Sequence, residues 1–422
     1  MAGPLYRSRP GAFEIRPASQ PARRVHEGIW LSEGLSNAYL VATREGRVVV
    51  NTGMGFEAPV HKRNFDAVAA GPVRAIVLTQ GHVDHVGGVD LFREPGTEII
   101  AQAGNAAQQA DDARIQRFRV RRSAFAFGEA IARANAWIRE HVGGPAPAQS
   151  RPVPTLVFED RHAFELGGVR FELLATPGGE TTDSLVVWLP EPRVCFTGNV
   201  FGALFGHFPN LVTMRGDRYR DALRFVASLE RVRALEPDVL LPGHHGPVLG
   251  RETIERELLR LRDAVQYVHD ETVRGMNEGR DVFSLMQSVR LPPELEVGEG
   301  YGKVAWGVRA IWESYAGWFH GRRTSELYPA EPVAAQPELV ALAGGAGPVA
   351  ERARERAAAG ELVLALQLAE AALAAEPRHR SALAASLLVH RGLEAKSANF
   401  WESAWLRKEI ARLEASLAEA SP

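Results

Sequence analysis

The chain's 422 residues leave room for two or three domains. Its 45% hydrophobic and 24% charged residues are the make-up of a soluble globular protein, and a net charge of −2 gives no electrostatic argument for nucleic acid or an anionic membrane. Cys195 is the sole cysteine, which excludes a disulfide framework and a thiolate cluster, so any metal must use His, carboxylate or amide ligands.

Residues 1–24 read as an irregular arm broken by Pro4, Pro10, Pro17 and Pro21; it carries Arg7, Arg9 and Glu14 but no apolar run, which is not a signal peptide. No stretch approaches the roughly 20 apolar residues that span a bilayer, so no membrane span is expected and the expected location is cytoplasmic. Short strands are predicted at 29–31, 38–42 and 47–50, separated by turns at GLSN (34–37) and EG (45–46), with a short helix at 63–70. The stretch AIVLTQGHVDHVGG (75–88) then organises everything around it. Ala75 to Leu78 form a buried strand ended by Thr79, and Gln80, His82, Asp84 and His85 follow in a loop closed by Gly87 and Gly88. Imidazole and carboxylate at alternate positions suit a borderline divalent ion such as zinc.

A helix is predicted from 105 to 142, with a basic, aromatic patch, RFRVRRSAFAFGEAI, at 117–131. That patch reads either as a solvated face with Phe125, Phe127 and Ile131 packed inward or as a lid over the metal loop. Residues 143–154 form a loop, and strands resume at 155–158 and 169–175. The turn TPGGETTDS (176–184) places Gly179 and Glu180 after a strand, RVCFTGN (193–199) is a strand ending at Asn199, and PDVLLPGHHGPVLG (237–250) runs a strand into a Gly-His loop. There His244 is the first candidate ligand and His245 the reserve. Beyond Gly250 the periodicity turns helical: 251–275, then 281–291 ended by Pro292 and Pro293, then 301–319 with Val304, Val308, Ile311, Trp312, Tyr315 and Trp318 as an aromatic stripe suited to a core or a subunit interface. A hinge is expected at 329–348, a tetratricopeptide-like helical hairpin at 351–393, and an amphipathic helix at 394–417.

The metal loop resembles the His-x-His-x-Asp-His loop of the metallo-β-lactamase superfamily, with Gln80 in place of the first histidine. The resemblance implies an α/β fold, an αββα sandwich at 25–250, followed by an all-α domain at 251–422. Three features are similar to the alkylsulfatase branch. These are Glu180 in a turn where other members carry a His, the segment FPNLVTMRGDRYRDALRF (208–225), and GYGKVAWGVRAIWESYAGWFHG (300–321), which resembles that branch's dimerisation domain. By resemblance, Asn210, Thr213 and Arg215 hold a sulfate, and a homodimer is implied. For Arg215 the alternative is a structural salt bridge to Asp217 or Asp221.

This chain departs from the pattern at Gln80, at Gly198 and Asn199, where the superfamily has a bridging Asp, and at Asn51, where an Asp usually supports the loop. It also stops before the branch's lipid-carrier-like C-terminal domain, from which poorer use of long alkyl tails is expected. The implied ligand sets are Asp84, His85 and His244 for one ion and His82, Glu180 and Gln80 for another, with Asn199 beside them. One or two zinc ions are expected, and Asp84 and His85 are the catalytic candidates. The expected function is zinc-dependent hydrolysis of a small anionic or ester substrate, best a sulfate ester. The alternatives are a lactone, amide or thioester substrate, or a catalytically silent, metal-poor relative.

Overall fold

The computed structural model describes residues 3–141 and 147–420, and contact density divides the chain into two compact units, Met1–Tyr315 and Ala316–Pro422. In the first unit, strands β1 (Arg23–His26), β2 (Ile29–Ser32), β3 (Ala38–Thr43), β4 (Gly46–Val50), β5 (Val73–Val77), β6 (Glu98–Gln102) and β7 (Leu156–Phe158) form a seven-stranded sheet in chain order. Pairing is antiparallel up to β4 and parallel from β4 to β7. Strands β8 (Arg161–Leu166), β9 (Val169–Ala175), β10 (Leu185–Leu189), β11 (Val194–Gly198), β12 (Val239–Pro242) and β13 (Val248–Leu249) form a six-stranded sheet, antiparallel except for β11 against β12.

Strand alternation sorts side chains into layers. Tyr39, Val41, Val48, Val50, Ala75 and Val77 of the first sheet meet Leu173, Leu185, Val187, Phe196 and Leu241 of the second. Their neighbours Leu40, Val49 and Ile76 point the other way and pack with Phe65 and Phe92 of helices α1 (Ala58–Asp66) and α3 (Val89–Phe92); the short helix α2 (Val83–Val86) lies between them in the chain. On the far side, Leu174, Val186, Trp188, Cys195 and Leu240 meet helix α5 (Ala222–Arg233), reached after the long helix α4 (Asn105–His141), and helix α6 (Arg251–Asn277). The result is the αββα sandwich expected from the sequence. Strands β10 and β11 read as continuous apolar runs because both faces are buried.

The change of sequence periodicity divides the chain at residue 250; the compact unit that holds the sandwich runs on to Tyr315. The physical reason is the apolar stripe of α6: Ile254, Leu258, Leu261, Val265 and Val268 complete the outer layer of the second sheet. Helices α7 (Val282–Ser288) and α8 (Val304–Ala316) add Leu285, Val304, Val308, Ile311 and Trp312 to the same core. Most of the aromatic stripe is therefore buried inside this chain, with Tyr315 at 59% and Trp318 at 69% exposure left outside. The arm is likewise anchored: Leu5 N–H donates to Glu257, Arg7 pairs with Glu296, and buried Ala18 donates its N–H to Glu57.

The second unit is helical: α9 (Gln336–Leu342), α10 (Ala346–Ala358), α11 (Leu362–Ala375), α12 (Arg380–Glu394) and α13 (Phe400–Glu419). Where a hinge was expected, α9 buries Val340; where one hairpin was expected, parts of three helices stand, because Gly360 (φ 82°) ends α10 and Pro377 follows the end of α11. Small residues, among them Ala350, Ala353, Ala369, Ala372 and Ala385, let these helices approach closely.

Candidate functional site

Strand β5 delivers its loop to the mouth between the sheets. Asn51, in the left-handed region (φ 60°) that Asn tolerates, accepts the Thr79 N–H at 3.0 Å and donates to the Thr79 hydroxyl at 2.9 Å. It thus supports the loop from the position where the superfamily usually carries an Asp. His82 keeps extended backbone and opens α2, which sets Asp84 and His85 on its first turn. The His85 carbonyl accepts from the Thr52 N–H (2.9 Å) and hydroxyl (3.1 Å), and a Cβ at Gly88 would lie 2.6 Å from the Thr52 carbonyl oxygen, so only glycine lets the loop close this tightly. From the other sheet, β12 ends at Pro242 and presents His244. Gly243 N–H donates to the Gly198 carbonyl (2.8 Å), and a Cβ at 243 would collide with Asn199 Oδ1 at 2.1 Å.

Asp84, His85 and His244 come together, with one ligating atom of each within 4.8 Å of the others. Asp84 Oδ2 lies 3.5 Å from His85 Nε2 and 3.9 Å from His244 Nε2. His245 does not join them. Its backbone is left-handed (φ 61°), and its ring feels the arm through Arg9, Glu14 and the Gly11 backbone. Burial lowers the His85 pKa to about 4 against the pull of Asp84, leaving a neutral imidazole at neutral pH. Burial opposes ionisation of Asp84, but the charges of His85, His244, His82 and Arg215 outweigh it and bring its pKa down to about 2. A neutral His85 imidazole beside an ionised Asp84 carboxylate is the pairing of protonation states a divalent ion needs. His85 Nε2, Asn199 Oδ1, Gln80 Oε1 and Glu180 Oε2 are buried with no hydrogen-bond partner, a costly arrangement that a bound cation would relieve. The Asp84–His85–His244 group therefore fits a divalent ion.

The second expected set, His82, Glu180 and Gln80, is also brought together. Gln80 Nε2 lies 2.8 Å from His82 Nδ1, and Glu180 Oε1 lies 3.8 Å from the same nitrogen. Gly179 beside Glu180 has no room for a side chain, since a Cβ there would lie 2.2 Å from the Val200 carbonyl oxygen. Two guanidinium groups cross this set. Arg215 Nη2 is 3.3 Å from His82 Nε2 and 3.7 Å from Glu180 Oε1, and Arg220 Nη2 is 3.3 Å from Glu180 Oε1. Burial opposes the Glu180 charge, yet Arg220, His82 and Arg215 hold its pKa below the ordinary value. Asn199, at the end of β11, donates from Nδ2 to His244 Nε2 at 3.1 Å.

Asn210, Thr213 and Arg215 share the irregular loop before α5. The Asn210 carbonyl accepts from Arg220 (2.9 Å), and the buried Thr213 hydroxyl has no partner. Asp217, the suggested salt-bridge partner of Arg215, lies 3.9 Å from it, whereas Asp221 caps α5 through the Arg224 N–H. Arg220 and Tyr301 also reach this site, though neither stands out as a site residue in the sequence. The spacing of Asp217 and Arg220 in RGDRYR was the available signal for the first. Tyr301 feels the charge of Arg215 because the 298–302 segment packs on the loop, with Phe208 N–H donating to the Gly298 carbonyl at 2.8 Å. No helix among the described residues is long and apolar enough to cross a membrane.

A family profile described as "Metallo-beta-lactamase superfamily" matches residues 31–244, and one described as "Alkyl sulfatase dimerisation" matches 283–411. A Pseudomonas linear primary-alkylsulfatase is 33% identical over 326 residues, covering 72% of this chain and 60% of its own. An alkyl/aryl-sulfatase of Saccharomyces cerevisiae is 28% identical over 358 residues, covering 79% of this chain and 54% of its own. This chain thus spans little more than half the length of the curated relatives it matches. The solved structure of a stereoselective inverting sec-alkylsulfatase from Pseudomonas superposes on 95% of this chain and 66% of its own, with a TM-score of 0.79 at 22% identity, a likeness of fold.

Proposed function

Because this chain belongs to the metallo-β-lactamase superfamily and is homologous to alkylsulfatases, we propose that it is a zinc-dependent hydrolase of organic sulfate esters. The observation that carries the reading is the Arg215 guanidinium, 3.3 Å from His82 and within electrostatic reach of Asp84 in the Asp84–His85–His244 group. In the reaction a sulfate monoester and water give an alcohol and hydrogensulfate.

Asp84, His85 and His244 would hold the ion, with His82, Glu180, Gln80 and Asn199 as the candidate set for a second. Zinc held there supplies a Lewis acid and a water whose pKa falls to about 7. Arg215 pairs with the sulfate oxygens, an interaction that a planar guanidinium makes with two parallel N–H bonds. Thr213, with its unpartnered hydroxyl, and Asn210 complete the anion pocket. Arg220 stays on Glu180 and the Asn210 carbonyl, so the loop keeps its shape while Arg215 engages substrate. The profile match at 283–411 supports a homodimer as part of the same reading.

A panel of alkyl and aryl sulfates, lactones and β-lactams, offered to zinc-loaded protein, tests the substrate class. Sulfate release with Arg215→Ala losing far more activity on sulfated than on uncharged substrates is expected. Turnover of lactones or β-lactams without any sulfate release would remove the sulfatase reading and leave a metallohydrolase.

A further inference from the structure

We infer that Arg119 of α4 is a positioning residue for Arg215, holding the anion-binding loop and keeping the Arg215 charge available to substrate; this rests on the proposed function. Arg220 closes the base of the loop around Arg215, its N–H on the Leu211 carbonyl (2.9 Å) and its guanidinium on the Asn210 carbonyl, whereas at the tip Gly216 N–H reaches the Thr213 carbonyl at 3.3 Å. The tip is held by the helix beside it. Arg119 donates from Nε to the Gly216 carbonyl (2.9 Å) and from Nη2 to Asp217 (2.7 Å), while Nη1 pairs with Asp112 on its own helix (2.5 Å). Arg122 donates to the Met214 carbonyl, and the Phe118 ring covers Gly216, where a Cβ would lie 2.6 Å from the ring edge. Arg218 pairs with Asp111 at 3.0 Å. The residues on both sides of Arg215 are thus tied to α4. The solvated face expected of the basic patch is there in part, with Arg117, Val120 and Arg121 exposed and Phe125 and Phe127 half-buried, while Ile131, expected inward, is exposed; what the expectation lacked is that Arg119 and Arg122 brace the loop from the side.

Asp217 explains why the brace has chemical consequences. Its carboxylate lies 2.7 Å from Arg119 but 3.9 Å from Arg215, 4.0 Å from Arg220 and 3.8 Å from His82 Nε2. Arg119 is its near partner and draws it away from Arg215. Without Arg119, the nearest remaining cations are Arg215 and Arg220, and an Asp217 carboxylate closing on Arg215 competes with sulfate for the same N–H groups. Lysine at 119 keeps the charge but cannot make the fork to Gly216, Asp217 and Asp112 together.

The test compares Arg119→Met, Arg119→Lys and the double variant Arg119→Met, Asp217→Asn with the parent, all as zinc-loaded full chains. Readouts are KM and kcat for a medium-chain alkyl sulfate, calorimetric binding of inorganic sulfate, and zinc per chain. Arg119→Met should weaken sulfate binding and raise KM by about tenfold or more, the scale of one charge-assisted contact, with a smaller change in kcat and zinc unchanged. Arg119→Lys should fall between, and the double variant should recover most of the lost affinity because the competing carboxylate is gone. Unchanged sulfate affinity in Arg119→Met, or in Arg119→Lys where the methionine variant does not fold, overturns the inference. So does a folded double variant with no recovery. If the parent binds sulfate but hydrolyses no sulfate ester, the proposed reaction fails and the binding series still judges Arg119.

Discussion

Asn37 is a severe point at which to perturb the candidate centre, because its side chain holds the loop that carries His244 without touching the ligand group. It is fully buried, and Nδ2 reaches the His245 carbonyl at 2.7 Å, the Pro242 carbonyl at 2.9 Å and the Tyr39 hydroxyl at 3.1 Å. In Asn37→Ala, Pro242 keeps the Tyr39 hydroxyl at 2.6 Å, but the His245 carbonyl loses its donor. An orphaned buried acceptor costs about 1–3 kcal/mol, and a small cavity adds to this. Asn37 Oδ1 has no partner in the parent, so its removal offsets part of the loss. A net destabilisation of about 2 kcal/mol corresponds to a fall in Tm of roughly 4–8 °C in a domain of 150–250 residues, and to less in the larger unit here. Because the freed loop presents His244, zinc affinity should drop by about 10–100-fold, the scale seen when supports of metal ligands are removed. Thermal unfolding of metal-free protein and calorimetric zinc titration read the two effects separately. Wild-type Tm and wild-type affinity together would refute the reasoning.

Three further outcomes follow from individual residues. Asp84→Asn and His85→Ala should abolish turnover and tight zinc binding, whereas Gln80→His should retain turnover and strengthen binding of a second ion; full activity in Asp84→Asn would show the catalytic ion to be elsewhere. Burial raises the Glu57 pKa to about 7 against the opposing N–H bonds of Leu35 and Ala18. Since the folded value exceeds the unfolded one, this contribution to stability is complete below about pH 4.5 and is lost as pH rises to 7. Relative to Glu57→Gln, the parent should therefore lose roughly 3 kcal/mol across that window in denaturant unfolding, and parallel pH profiles would contradict this. Light scattering should find the 46.1 kDa chain as a dimer and Trp318→Asp shifted toward monomer. Trp312, only 8% exposed, reports on core stability instead, and a monomeric parent would end the dimer reading.

The metal loop was legible because His82, Asp84 and His85 are neighbours in sequence at a strand end, where local geometry decides what they share. The Gly-His loop was legible for the same reason, but the choice between His244 and His245 depended on one left-handed backbone angle. Partners brought from afar were not legible. Arg119 meets Asp217 across 98 positions, and nothing in RFRVRR distinguishes the arginine that braces a loop from those facing solvent. The reach of the compact unit past residue 250 was not legible either. The stripe on α6 announced a helix with one apolar face, but its partner is a set of alternate residues in strands apolar on both sides, so the second face of β10 and β11 left no pattern to read.

The most direct test of the central claim counts zinc in protein purified without chelator, then follows sulfate release from a medium-chain alkyl sulfate as the metal is stripped and restored. At least one zinc per chain is expected, with sulfate release that disappears on stripping, returns with zinc, and is absent throughout in His244→Ala. Protein that holds no zinc, or that releases sulfate equally well when stripped, would contradict it.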